Sequence, residues 1–235
     1  MHVTFEAVRG AGVERDYVTQ VEGSLHLSIA QDEDGLNEEE IEIGRVSARV
    51  ICVDEACGEG GDPADAADAI DQQTHDMWCA VIEPGTINFR DFVGDGALGS
   101  DVLMVMSIEI LPEWRGQLFG LLLLDETIRV HGRGCGAVVL EAAPLRQLSD
   151  ADREAARLAG DDTDWRERMK WDGLAKTEAE YARVSARLRE HWAQLGFELC
   201  PTAKRSRFMY RTEGLRYPYV GPAESGFDLV LHDGK

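Results

Sequence analysis

Residues 101–111, DVLMVMSIEIL, place apolar side chains on both faces of an extended chain. Such a segment is satisfied only as a central strand covered on both sides. The rest of the chain must therefore supply helical layers above and below a sheet. A turn at 112–116 follows, then an apolar helix at 117–131, then a second apolar strand at 137–143 (AVVLEAA). Strand, helix and strand of this length form a parallel crossover unit, for which a right-handed connection is expected.

The flanking segments read as sheet, then helices. Residues 3–8 alternate apolar and polar, and 24–30 (SLHLSIA) read as a second strand. Residues 42–53 form a third strand with a bulge near Gly44, so strands two and three make a hairpin whose acidic tip, 31–40, is solvated. Asp62-Pro63 supplies a cap and first-turn pair for a weakly amphipathic helix at 64–81. Residues 83–100 are loop. Residues 146–195 are charged and proline-free and read as two or three helices broken near 160–163 and Gly173. Short strands at 197–200 and 205–211 close the pattern. The expected organisation is one domain over 1–212, with a helical insertion at about 146–184 and a tail at 213–235.

Charge excludes some partners. The 235 residues carry 24 Lys and Arg against 44 Asp and Glu, a net charge of -20. Residues 1–100 hold 5 basic and 22 acidic side chains, so that region cannot present the basic face that nucleic acid or an anionic membrane requires. It can attract a cationic substrate, or simply keep the chain in solution. No apolar run approaches the roughly 20 residues of a membrane helix, and the N-terminus has no secretory pattern. A cytoplasmic protein is expected. Five cysteines without a Cys-x-x-Cys do not make a disulfide framework. Cys52, Cys57, His75 and Cys79 are zinc-ligand types, but Cys52 sits in an apolar strand where a small buried thiol is the ordinary reading, and no metal is expected. The acidic run at 32–42 lacks the EF-hand spacing. His131 and His191 read as surface or cap residues.

The chemistry concentrates at 107–124, SIEILPEWRGQLFGLLLL. A buried strand ends in a proline turn, and Arg115-Gly116 precede a helix. The first N–H groups of such a helix have no intrahelical partner and, with the helix dipole, suit a pyrophosphate. Arg115 adds charge, while Gly116 and Gly120 allow close approach.

Here the chain resembles the GNAT superfamily of N-acetyltransferases. The resemblance rests on Pro112-Glu113-Trp114-Arg115-Gly116-Gln117-Leu118-Phe119-Gly120, and about 75 residues later on Trp192-Ala193-Gln194-Leu195-Gly196-Phe197-Glu198 followed by Arg207-Phe208-Met209-Tyr210-Arg211. It covers 101–211 well and the first hundred residues loosely. It implies an α/β (α+β) fold: a mixed, mostly antiparallel sheet flanked by helices, with a central parallel strand pair splayed for acyl-CoA. It also implies acetyl-CoA as acyl donor. The pyrophosphate would sit on backbone at Gln117, Leu118, Phe119 and Gly120 near Arg115 and Gly116, and the pantetheine along the strand at Ile108 and Ile110.

The implied reaction is direct acyl transfer to the primary amine of a small molecule or peptide. A base deprotonates the ammonium and backbone donors polarise the thioester carbonyl. Glu109 is the first candidate base and Glu141 the second. Two positions depart from the family pattern: Leu118 stands at a usual glycine, and Trp192 at the tyrosine that protonates the leaving thiolate. Tyr181 and Tyr210 are the stand-ins, and Ser185 replaces a common asparagine. The alternative is a catalytically silent GNAT-fold protein that binds acyl-CoA or a protein partner. A homodimer is an open alternative to a monomer.

Overall fold

The computed structural model describes residues 1–9, 17–30, 38–144, 163–169, 177–201 and 207–212. Their strands join in one seven-stranded sheet, ordered β1-β2-β3-β4-β5-β7-β6. These are β1 (His2–Arg9), β2 (Val18–Ala30), β3 (Glu38–Ile51), β4 (Asp101–Ile110), β5 (Cys135–Glu141), β6 (Glu198–Leu199) and β7 (Phe208–Thr212). Every neighbouring pair is antiparallel except β4 and β5, which are parallel. Helix α4 (Phe119–His131) joins that pair. No helix among the described residues is long and apolar enough to cross a membrane.

One face of the sheet is covered by α1 (Val53–Gly58), α2 (Pro63–Ile70) and α3 (Gln72–Val81), whose Val53, Ala66, Met77 and Trp78 pack on Val18, Ile51, Val102, Met104 and Val139. The other is covered by α4 and by α6 (Glu178–Ala193), whose Leu123, Leu124 and Trp192 pack on Val21, Val46, Leu103, Val105 and Val138. The expectation for β4 holds in its first half: Val102, Leu103, Met104 and Val105 are all buried, with alternate side chains entering opposite core clusters. The short α5 (Thr163–Arg168) packs Trp165, with Met169, onto Leu111.

The bulge near Gly44 is present. Leu25 pairs with Gly44 and His26 with Glu42, so β3 has one residue more than β2 there. A Cβ on Gly44 would stand 2.6 Å from Ile110 Cδ1 and 3.2 Å from the Glu109 carbonyl, so a larger residue there would have to displace the Ile110 side chain.

Several boundaries differ from the sequence reading. The helix expected at 64–81 is two helices. Asp71 is extended, and its side chain accepts the Thr74 N–H at 2.8 Å, starting α3 anew. Asp62 caps α2 as expected, accepting from the Ala64 N–H at 2.8 Å. The third strand ends at Ile51, and Val53 opens α1, which the sequence reading lacked. The second strand begins six residues earlier than expected, at Val18. The apolar helix starts at Phe119 rather than Gln117 because Leu118 is left-handed. Within 146–195 the described helices are α5 and α6; the breaks expected near 160–163 and Gly173 lie outside the described residues, except for the α5 start at Thr163. The acidic tip at 31–37 and the tail at 213–235 also lie outside them.

Candidate functional site

The site begins where β4 loses one neighbour. The β4–β5 pairing stops at Val105 and Leu140, whereas β3 continues along β4 to Ile110. An extra residue in β4, Met106, sits between the pairs Ser47–Ser107 and Ala48–Val105 and bends the strand at the point of divergence. The two parallel strands therefore splay. The gap is a cleft of about 290 Å³ lined by Ser107, Ile108 and Ile110 of β4, Leu140 and Glu141 of β5, Val184, Leu188 and Trp192 of α6, and Arg115 and Met169.

The start of α4 lies beside this cleft. Gly120 faces Trp192 Cη2 and Ile110 Cγ1, with a Cβ there 3.6 and 3.9 Å away, both ordinary contacts. Leu118 is the N-cap, with φ 64° and no side-chain cap. The early N–H groups of α4 thus gain no capping side chain from Leu118. Among the described residues, Leu118 is the one non-glycine residue in the left-handed region, and Gly116 beside it has φ 83°. Arg115 folds back from the turn to donate from Nε to the Ile110 carbonyl at 2.8 Å, and its Nη2 reaches Met169 Sδ at 4.0 Å. Burial pushes the Arg115 pKa down, against the pull of Glu113 and Glu109.

The cleft opens onto a polar stretch of the α1–α3 face. Cross-strand partners share a face. The rows Glu22–Ser47–Ser107 and Ser24–Arg45–Glu109 therefore lie side by side there. Ser47 donates to Glu22 at 2.9 Å, and Arg45 pairs with Glu42 at 2.7 Å. Burial raises the Glu22 pKa, opposed by its Ser47 bond, and the Glu109 charge adds to the rise.

The two candidate bases differ in placement. Glu109 accepts the Trp165 indole N–H at 2.7 Å, and Arg45 stacks 4.3 Å above that ring. It does not line the cleft. Glu141 does, with its side chain only 12% exposed, held by Arg207 at 3.3 Å and Gln73 at 3.3 Å.

Tyr210 is not brought to this site. It is buried at the level of Val139 on β5, and its hydroxyl donates to the Phe92 carbonyl at 3.1 Å. Burial raises its pKa, and the Glu198 carboxylate beside it adds to the rise. Tyr181 sits on the α6 stripe shared by Val184, Leu188 and Trp192, about 16 Å along the helix from Trp192 at 1.5 Å per residue. Ser185 Oγ is buried without a hydrogen-bond partner among the described residues. His191, expected at the surface, packs edge-on against Trp192 at 4.8 Å, and burial pushes its pKa down. His131 is likewise half-buried against Phe5, with its pKa lowered by burial.

The thiols form no metal cluster. Cys79 Sγ and His75 Nε2 are 3.3 Å apart across one turn of α3, but among the described residues neither Cys52 nor Cys57 converges with them. No disulfide joins any of the five cysteines. Burial raises the Cys200 pKa to about 12, fitting an inert core thiol.

Sequence reasoning missed Trp165 and Met169, which connect Glu109 and Arg115 to α5. An apolar pair spaced i, i+4 within a charged segment was the available signal. No family model, curated protein or solved structure matches this chain.

Proposed function

We propose that this protein is an acyl-CoA-dependent N-acyltransferase of the GNAT type, moving an acetyl group from acetyl-CoA to a primary amine. The observation that carries the reading is the splay of parallel strands at Val105 and Leu140, beside the start of an α4 that lacks a side-chain cap. A splayed strand edge suits the amide-bearing pantetheine arm. Left-handed backbone at Leu118 and Gly116 with the following N–H groups of α4 suits the pyrophosphate. Arg115 stands at the turn between them, and Trp192 closes the cleft from α6.

In this reading the amine arrives across the polar rows that end at Ser107 and Glu109. Glu141, which lines the cleft, takes a proton from the ammonium directly or through water, and the free amine attacks the thioester carbon. The β4 backbone edge polarises the carbonyl. The N–C bond forms, the C–S bond breaks, the nitrogen's surplus proton passes to the departing thiolate directly or through water, and CoA leaves as the thiol while Glu141 returns its proton to solvent. Glu109 fixes Trp165 instead of reaching the thioester.

Trp192 at the usual acid position, with Tyr210 committed to Phe92, favours a second reading: acyl-CoA binding without transfer. Thermal unfolding with added acetyl-CoA tests binding. Ligand at 100 times its dissociation constant adds about 2.7 kcal/mol to stability. Absence of a shift at saturating acetyl-CoA, in protein freed of bound CoA, overturns both readings. Thiol release with a panel of primary amines separates them: CoA appears if the protein is a transferase, and does not if it only binds.

A further inference from the structure

On strands β1–β3, away from the β4–β5 cleft, His2, His26 and Glu40 bring one ligand atom each within 4.8 Å of the others. Sheet pairing builds the cluster. His2 stands directly opposite His26 across β1 and β2, and Glu40 lies opposite Ser28, two residues along the same face. The β3 bulge at Ile43, next to Glu42, sets this register. His26 Nδ1 is 3.0 Å from Glu40 Oε1, and His2 Nε2 is 3.4 Å from the same oxygen.

We propose that this triad is a site for a zinc-class divalent transition metal, with two imidazoles, one carboxylate and an open fourth position. A tetrahedral ion with bonds near 2.0–2.1 Å sets its ligand atoms about 3.3 Å apart, which the two observed separations bracket. Two imidazoles and a carboxylate are ligands such metals accept, whereas calcium and magnesium prefer oxygen throughout.

Thr4 Oγ1 lies 3.4 Å from His26 Nε2. When that nitrogen donates to Thr4, Nδ1 presents its lone pair beside the Glu40 carboxylate, and a cation between them removes the repulsion. The Thr4 contact is then the outer partner that orients a ligating histidine. The acidic balance of residues 1–100 raises the local concentration of cations. The two rings now stack at 5.1 Å with planes 7° apart, so binding requires one ring to turn toward the other's nitrogen. His2 is the ring that turns, because its side chain is 45% exposed at the end of the edge strand.

The test uses the full chain, stripped with a chelator and dialysed. Zn2+ alone is titrated by calorimetry, and Co2+ serves as the spectroscopic probe. The expected result is one Zn2+ per chain, a raised unfolding temperature, and the intense visible absorption of four-coordinate Co2+. His26→Ala and His2→Ala each weaken Zn2+ binding at least tenfold, while Cys79→Ser, which breaks the His75–Cys79 pair on α3, leaves it unchanged. Because His2 is exposed at a strand end, its variant keeps the fold, which near-UV circular dichroism checks. Substoichiometric Zn2+, wild-type affinity in His2→Ala or loss of binding in Cys79→Ser overturns the proposal.

Discussion

The two halves of β4 have the same neighbour on one side and opposite fates on the other. From Val102 to Val105 the strand is paired on both edges and buried on both faces. From Met106 to Ile110 it keeps only β3, and every residue is half-buried. The first half anchors both core clusters. The second exposes a backbone edge in a cleft and carries Ser107 and Glu109 on its polar side. A single inserted residue, Met106, divides them. Scaffold and candidate site thus occupy consecutive turns of one strand, and substitutions in each should separate stability from binding.

The largest effect is expected in the scaffold half. Leu103 is fully buried between β4 and α4. Leu103→Ala removes its packing and leaves a cavity, which costs about 2–5 kcal/mol of stability. Urea unfolding measures it. In the proposed reading the remaining folded protein still binds acetyl-CoA, because Leu103 does not line the cleft. A cost under 1 kcal/mol would mean that this half is not the anchor its burial indicates.

The next two substitutions act in the site half. Glu141→Gln keeps the side-chain shape and removes the proposed base, so in that reading kcat is expected to fall roughly a hundredfold with acetyl-CoA affinity kept. Glu109→Gln disturbs the Trp165 bond and has a smaller effect on kcat. Equal losses, or a larger loss in Glu109→Gln, would return the base to β4. At Gly120 a Cβ meets only ordinary contacts, and the acid of Gly120→Asp in the first helical turn suits the dipole. Near-UV circular dichroism checks that the fold is kept, while the new charge opposes the proposed pyrophosphate. Acetyl-CoA binding should weaken at least tenfold, about 1.4 kcal/mol, measured by calorimetry. Unchanged affinity would remove the α4 start from the site.

The same contrast explains what could be read in advance. The scaffold half was legible because continuous apolar burial has few solutions: 101–111 gave β4, and the crossover through α4 to β5 followed. The α2–α3 break was less visible. Asp71 resembles any surface acid until its side chain is seen capping Thr74. The capping box at Thr177 and Glu180 was readable as T-x-x-E but not recognised. In the candidate site, Arg115, Gly116 and Gly120 were singled out from local spacing. The separation of Glu141 from Glu109 was not, because it depends on where β5 stops pairing and on Trp165, 56 residues away from Glu109. For Tyr210 the position on β7 was legible, but its face and its Phe92 partner were not.

A smaller, pH-dependent effect is expected beside the scaffold half. Arg49 lies opposite Met104 and pairs with Asp71 at 2.6 Å. Burial raises the Asp71 pKa, but the Thr74 and Arg49 contacts together outweigh it, and the net shift is downward. The stabilisation is therefore present above the ordinary carboxylate pKa of about 4 and is lost as pH falls through the lowered value. Asp71→Asn should flatten the acid limb of the stability curve below about pH 4 while leaving the cleft's affinity at neutral pH unchanged. An unaltered acid limb would mean that the pair adds nothing to folding.

The smallest effect is expected at Leu118, where the site half meets α4. A leucine at φ 64° bears strain of about 1–2 kcal/mol that glycine does not. Glycine, in turn, loses more chain freedom on folding, roughly 0.5–1 kcal/mol. Leu118→Gly also gives up the half-buried packing of the leucine against the α4 core. The terms oppose one another, so stability should move by no more than about 1 kcal/mol. The left-handed backbone is already formed with leucine in place, so the helix start keeps its shape, and acetyl-CoA affinity should stay within a factor of two. A large gain in affinity would show that the leucine side chain obstructs the pyrophosphate position. A loss beyond tenfold with the fold intact would show that the side chain, and not only the backbone at 118, holds the ligand.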